Sequence, residues 1–147
     1  MIKIAIVDDN TFLIKTVQEK LSFFEDFSLK FTAFDGVDCI GKLEKNHNID
    51  LILMDIEMPK MNGIETVNIV KQKYPQIKII MLTVFDNDEN IFKSIKAGAD
   101  GYLLKEVNPK DLHQGIVETM NGGATMTPSI AMKTLQLFGN PNAFVNV

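Results

Sequence analysis

An α/β fold, with a parallel sheet covered by helices on both faces, is what this sequence predicts. Three observations carry it. Short runs of branched aliphatic residues recur along the chain, each is followed by a segment with apolar residues at helical spacing, and turn or cap residues separate the two kinds. The 147 residues fit one domain with a single core.

Ile2 to Val7 is the first strand, an apolar alternation with Lys3 as its only charge. Phe12, Leu13, Val17, Leu21 and Phe24 follow at helical spacing and make the first helix, with Asn10-Thr11 as its cap. Leu29 to Phe34 is the second strand, and Val37 to Leu43 a short helix that starts behind Gly36. Leu51 to Met54 is aliphatic on both faces, as a central parallel strand must be. Met58-Pro59-Lys60-Met61-Asn62-Gly63 is a turn-rich loop. Ile64, Val67, Ile69 and Val70 make the third helix, ended by Pro75. Ile77 to Leu82 is the fourth strand. The fourth helix runs from Asp88 to Ala97 and stops at Gly98. Tyr102 to Leu104 is a short fifth strand. Asn108-Pro109 opens the fifth helix, whose Leu112, Ile116, Val117 and Met120 face the core, and Gly122-Gly123 ends it. Thr127-Pro128 starts an additional helix, with Ile130, Met132, Leu135 and Leu137-Phe138 as its apolar side and Gly139 as its stop.

Right-handed crossovers place helices on both faces of such a sheet. The expected strand order is 2-1-3-4-5, the flavodoxin-like doubly wound arrangement, with an extra C-terminal helix. The expected organisation is a main domain over 1–121, a linker with the additional helix over 122–139, and a frayed tail over 140–147.

Composition narrows the function. Hydrophobic residues are 46% and charged residues 23%, as in a soluble globular protein, and the net charge of −4 argues against a general polyanion-binding surface. All 15 basic residues are lysine, so a phosphate site has no guanidinium clamp. Cys39 is the only cysteine; it excludes an intrachain disulfide and reads as a small core residue. Met1 leads straight into an apolar alternation, so no signal peptide is read, and no apolar run is long enough for a bilayer. A cytoplasmic setting is the default expectation.

The chemistry lies at the strand ends. The first strand closes on Asp8-Asp9, the third on Asp55, the fourth on Thr83 and the fifth on Lys105. In a parallel sheet these meet at one edge, near the point where strand order reverses. Three carboxylates there repel one another, each pair about 4 Å apart costing roughly 4 kcal/mol at an effective dielectric near 20. A divalent cation relieves that repulsion, and a hard oxygen site without cysteine or paired histidines suits Mg²⁺. Asp55 is the candidate nucleophile toward phosphorus, and Lys105, Thr83 and backbone N–H groups are the candidate partners of the transferred oxygens. Singly, each residue is ordinary: an Asp after a strand caps or turns, a Thr fits a strand, a Lys is solvated. Their joint occurrence is the signal. His47 and His113 read as solvated, and Met54, Met58 and Met61 as packing.

Four stretches, Val7-Asp8-Asp9-Asn10, Leu53 to Gly63, Met81-Leu82-Thr83 and Ala97 to Lys105, closely resemble the receiver domain of bacterial two-component response regulators. The resemblance covers roughly residues 1–121 and implies roles position by position. Asp55 looks like the phosphoacceptor. Asp8 and Asp9, with Asp55 and the backbone carbonyl of Glu57, look like the Mg²⁺ ligands. Thr83 and Lys105 look like the groups that hold the phosphoryl, and Tyr102 like the switch aromatic. It implies a sensor histidine kinase as donor, with small acyl phosphates as alternatives, and a phosphoacceptor rather than an enzyme. Gly122 to Ala131 resembles the linker of the subfamily whose receivers precede a LuxR/NarL-type helix-turn-helix domain. Two expectations stay open: a receiver cut from a transcription factor, which the linker favours, or a receiver that works alone as a phosphorelay or adaptor protein.

On the implied mechanism, phosphorylation draws Thr83 toward the new oxygens and lets Tyr102 rotate inward. The face of the fourth helix, fifth strand and fifth helix then changes and controls homodimerisation, with DNA contacted only through a domain outside this chain and no membrane involved. Three residues depart from the broader family pattern. Glu106 follows Lys105 where many receivers have a cis proline, Val84 follows Thr83 where small residues are common and is expected to tighten access, and Glu57 adds a charge beside the site. An aspartate-nucleophile phosphatase is the rival enzyme reading, but such families favour Asp-x-Asp and the second position here is Glu57. A flavin-binding module is a rival on the same fold, but Asp8-Asp9-Asn10 would repel its phosphate.

Overall fold

A computed structural model describes residues 1–139, and the tail expected over 140–147 lies outside the described residues. The elements alternate as β1 (Ile2–Val7), α1 (Thr11–Ser22), β2 (Phe27–Ala33), α2 (Gly36–Lys45), β3 (Leu51–Met54), α3 (Gly63–Lys73), β4 (Lys78–Thr83), α4 (Asp88–Ala97), β5 (Gly101–Leu104), α5 (Pro109–Met120) and α6 (Pro128–Gly139). The strands form one sheet in the order β2-β1-β3-β4-β5, with every pair parallel. This is the flavodoxin-like order expected from the sequence.

The period of two along each strand divides the core into halves. Ile4, Ile6, Leu51, Leu53, Ile80 and Leu82 point to one face and pack with α1 and α5 through Ile14, Val17, Leu21, Leu112 and Ile116. Ala5, Val7, Ile52, Met54, Ile79 and Met81 point to the other and pack with α2, α3 and α4 through Leu43, Val67, Val70 and Ile91. Each fully buried aliphatic side chain contributes about 1.5–3 kcal/mol. Cys39 sits in the second half, and its burial, with Asp38 adding to the effect, pushes the thiol pKa up to about 12.

Several boundaries differ from expectation for local reasons. β2 begins at Phe27 and ends before Phe34, because Phe27 packs under α1 while Phe34 is half exposed. A register shift between Ile4 and Ala5 adds one residue on β2. α2 is longer at both ends: Asp35 caps it by accepting from the Asp38 amide at 2.8 Å. Phe12 has the right spacing for a core position but is 73% exposed, and Phe24 lies past the end of α1. Gly98 ends α4 with φ 115°, a left-handed cap that glycine adopts without steric penalty.

After α5 the chain returns to the sheet edge. The Tyr102 amide donates to the Thr125 carbonyl at 2.8 Å, and Tyr102 forms a parallel bridge with Met126. This covers the outer edge of β5, which would otherwise present unpaired backbone groups. α6 then lies on α4. Ile130 and Leu137 are buried in the same half-core as Ile91 and Tyr102, and Phe138 stacks on Phe92 with centroids 4.9 Å apart. Met132 and Leu135, expected on the apolar side, are exposed instead. The face of α4, β5 and α5 expected to serve for dimerisation is thus partly occupied by the chain itself.

Candidate functional site

The sheet's own hydrogen bonds bring the functional residues together. The Asp55 amide donates to the Val7 carbonyl and the Lys105 amide to the Thr83 carbonyl, each at 2.9 Å, so the tips of β1, β3, β4 and β5 are locked side by side. Asp8 and Asp55 are buried at 4% and 6% exposure, while Asp9 is exposed. Carboxylate oxygens of all three lie within 4.8 Å of one another. The Lys105 ammonium reaches between two of them, 2.7 Å from Asp8 Oδ2 and 3.0 Å from Asp55 Oδ2. The second oxygens are held by backbone donors: Asp8 Oδ1 accepts from the Asn10 amide at 2.9 Å and Asp55 Oδ1 from the Ile56 amide at 2.8 Å. Asn10 also caps α1, accepting from the Phe12 and Leu13 amides, so one turn both starts the helix and orients Asp8.

The loop after Asp55 is built tightly. The Gly63 amide donates to the Ile56 carbonyl at 2.7 Å, and a Cβ at position 63 would overlap the Asp55 carbonyl oxygen. The Met61 amide donates to the Pro59 carbonyl at 2.7 Å across Lys60, whose φ of 65° is the one positive non-glycine value among the described residues. Asn62 and Glu65 then form a reciprocal capping box on α3.

The charges follow from this packing. Burial raises the Asp55 pKa, and Asp8 adds to the rise; the hydrogen bond and charge of Lys105 oppose it without cancelling it. For Lys105 burial acts downward, but its hydrogen bonds to Asp8 and Asp55 prevail and its pKa is raised. The ammonium therefore stays charged between two carboxylates. The cleft around them is about 620 Å³ and is lined also by Glu57, Met58, Pro59, Asn62 and Phe85. Its donor set is all oxygen and rich in carboxylate, which fits a hard divalent cation such as Mg²⁺.

Thr83 and Tyr102 stand behind the cleft. Thr83 is buried and its hydroxyl accepts from the Phe85 amide at 3.3 Å. Tyr102 is fully buried, and its hydroxyl donates to the Phe85 carbonyl at 2.5 Å. Burial first, then Asp86 and Asp55, pushes the phenol pKa up, so it remains a donor. The Tyr102 side chain is thus buried and tied to the 84–87 loop, and Thr83 is bonded to the same loop.

Two sequence readings need correction. Val84 does not narrow the cleft: it is 62% exposed, and the residue on the wall is Phe85, which sequence reasoning missed. The strand's alternation had ended at Thr83, so no period remained to orient the next side chains. His113 is not freely solvated. It stacks on Phe24 with centroids 4.1 Å apart, and its Nε2 lies 2.9 Å from Asp26. His47 is exposed as expected and rests on Tyr74. No cis peptide occurs among the described residues, in keeping with Glu106 after Lys105.

The response regulator receiver domain family matches residues 4–117. The chain belongs to this family. Receivers of this kind are phosphorylation-dependent switches of two-component systems and in general signalling domains rather than enzymes. Among curated relatives, this receiver is 35% identical over 129 residues to the transcriptional regulatory protein DegU of Brevibacillus brevis, covering 88% of this chain and 54% of that one. It is 33% identical over 132 residues to the response regulator protein VraR of Staphylococcus aureus, covering 90% of this chain and 63% of that one. The receiver thus spans little more than half the length of such relatives. Among solved structures it is similar to a CheY-like receiver domain protein from Methanospirillum hungatei JF-1, at 34% identity and TM-score 0.75, over 83% of this chain and 95% of that one. No helix among the described residues is long and apolar enough to cross a membrane.

Proposed function

We propose that Asp55 is the phosphoacceptor of this receiver and that Asp8, Asp9, Asp55 and the backbone carbonyl of Glu57 hold Mg²⁺. One observation carries the reading: the Lys105 ammonium contacts Asp8 and Asp55 at 2.7 and 3.0 Å, at the edge where three carboxylates converge within 4.8 Å. A cluster so costly in repulsion is kept for a charge-handling task. A cation held there would supply positive charge to offset that of a transferred phosphoryl group.

The chain's own residues do the rest. A carboxylate oxygen of Asp55 attacks the phosphorus of a phosphohistidine on a sensor kinase, or of a small acyl phosphate. The bond to the donor's nitrogen or oxygen breaks, its electron pair leaves with the donor, and an aspartyl phosphate forms. Lys105 exchanges a carboxylate contact for a phosphoryl oxygen, and Thr83 turns its hydroxyl from the Phe85 amide toward another. In this sense the domain assists its own phosphorylation and dephosphorylation. The linker over 122–139 would join the 1–121 receiver to a DNA-binding domain, as the name of DegU, a transcriptional regulatory protein, suggests for that longer protein, with homodimerisation through the α4–β5–α5 face. The reading is tested with acetyl phosphate and Mg²⁺. The native chain should be labelled and Asp55→Asn should not, whereas persistent labelling of Asp55→Asn would place the acceptor elsewhere.

A further inference from the structure

Three sets of contacts tie the additional helix to Tyr102 and to the 84–87 loop that Tyr102 holds. First, Ile130 and Leu137 share a buried cluster with Tyr102 and Ile91. Second, the segment leading into α6 is bonded to Tyr102 itself, through the Thr125 carbonyl and the Met126 bridge. Third, the Lys133 ammonium donates to the Asp86 carbonyl at 2.9 Å. The same loop is held from within by Thr83 and by the Tyr102 hydroxyl, both on Phe85. A continuous path of contacts therefore runs from Thr83, at the tip of β4 beside the Asp55 site, to a helix beyond the sheet edge.

We infer that α6 is a working part of the switch: its docking on α4 and phosphoryl occupancy at Asp55 favour each other. The inference rests on the phosphoacceptor reading above. The sign follows from shared burial. Tyr102 is fully buried in the same cluster as Ile130 and Leu137 of docked α6, and its backbone is paired with the segment that leads into that helix, so an outward tyrosine would have to leave the cluster that docking completes. Docked α6 thus traps the inward tyrosine, the state that the turn of Thr83 toward a phosphoryl oxygen also selects. Two events that favour one conformation are linked, and the linkage is reciprocal.

Beryllofluoride with Mg²⁺, a phosphoryl mimic, provides the test on the full chain. Its addition should slow hydrogen exchange of the α6 amides. Ile130→Asp, which undocks the helix, should weaken beryllofluoride binding by at least about fivefold, while Mg²⁺ binding stays unchanged. Lys133→Met, which removes only the tie to Asp86, should weaken it in the same direction and by less, and guards against a folding defect in the first variant. Unchanged α6 exchange together with equal beryllofluoride affinity in both variants would overturn the linkage alone. Failure of beryllofluoride to bind even the native chain would overturn the phosphoacceptor reading and the linkage with it.

Discussion

Gly63 rests against the carbonyl oxygen of Asp55, so closely that even a methyl group cannot stand between them. The backbone of Asp55 is thereby fixed by the first residue of the next helix, and the loop returns on itself within eight positions. Gly63→Ala must push β3's tip or α3 aside. The expected cost is about 1–3 kcal/mol, read by urea denaturation, with slower labelling of Asp55 by acetyl phosphate in the fraction that remains folded.

Lys105 sets a single positive charge against two buried carboxylates. Lys105→Ala should destabilise the cation-free protein by about 3–5 kcal/mol, the range for breaking a buried ion pair. Mg²⁺ should restore much of that loss, since it satisfies the same carboxylates, and Mg²⁺ affinity should be unchanged or higher. Phosphorylation of the variant should no longer alter dimerisation. Thermal melts with and without Mg²⁺, and sedimentation after acetyl phosphate treatment, measure the three outcomes.

Asp55 has a raised pKa because burial outweighs its cation. A carboxylate whose folded pKa lies above its unfolded value binds more protons when folded, so stability falls as pH rises through that interval. Above it, the full cost of the charged form is present. Asp55→Asn should therefore stabilise the cation-free protein by about 0.5–2 kcal/mol at neutral pH. The advantage should shrink as pH falls through the interval above the ordinary carboxylate range, where native Asp55 takes up its proton. Melting temperatures against pH for both proteins give the comparison.

Phe85 forms a wall of the cleft and Val84 does not. On the proposed function, water would have to reach a phosphoryl group on Asp55 past the Phe85 ring. Phe85→Ala should shorten the life of the aspartyl phosphate by roughly fivefold, about 1 kcal/mol of barrier, and Val84→Ala should leave it nearly unchanged. Decay of labelled protein in Mg²⁺ buffer distinguishes them.

Tyr102→Phe removes one buried donor from the Phe85 carbonyl. The expected loss is about 0.5–1.5 kcal/mol, together with faster exchange of the 84–87 amides.

Much of the fold was legible because two-sided burial leaves a plain mark. Ile52 and Leu53 face opposite half-cores and both must be apolar, so β3 could be nothing else. The strand tips were legible for the same reason: once the strands were placed, topology assembled Asp8, Asp55, Thr83 and Lys105 without any further information. What depended on distant partners was not. Phe12 fits the helical spacing yet lies on the solvent side, since spacing alone does not say which of two adjacent apolar stripes meets the sheet. His113 found Asp26 across 87 positions, and only the packing of α5 against α1 brings them together. The sequence announced α6 by its cap and stop but said nothing of what it lies on, because Ile130 and Leu137 would suit any apolar groove.

The thiol at position 39 lies at 0% exposure in the half-core between α2 and the sheet, with a pKa of about 12. It is the thiolate that attacks an alkylating reagent, and neither access nor ionisation is available until that layer opens. The molecule thus carries its own reporter: at saturating maleimide, modification of this sole cysteine clocks the opening of the layer beneath α2 and needs no engineered label. Applied with and without a phosphoryl mimic, the same clock tells whether the far side of the sheet from β5 shares in the signal or stays indifferent to it.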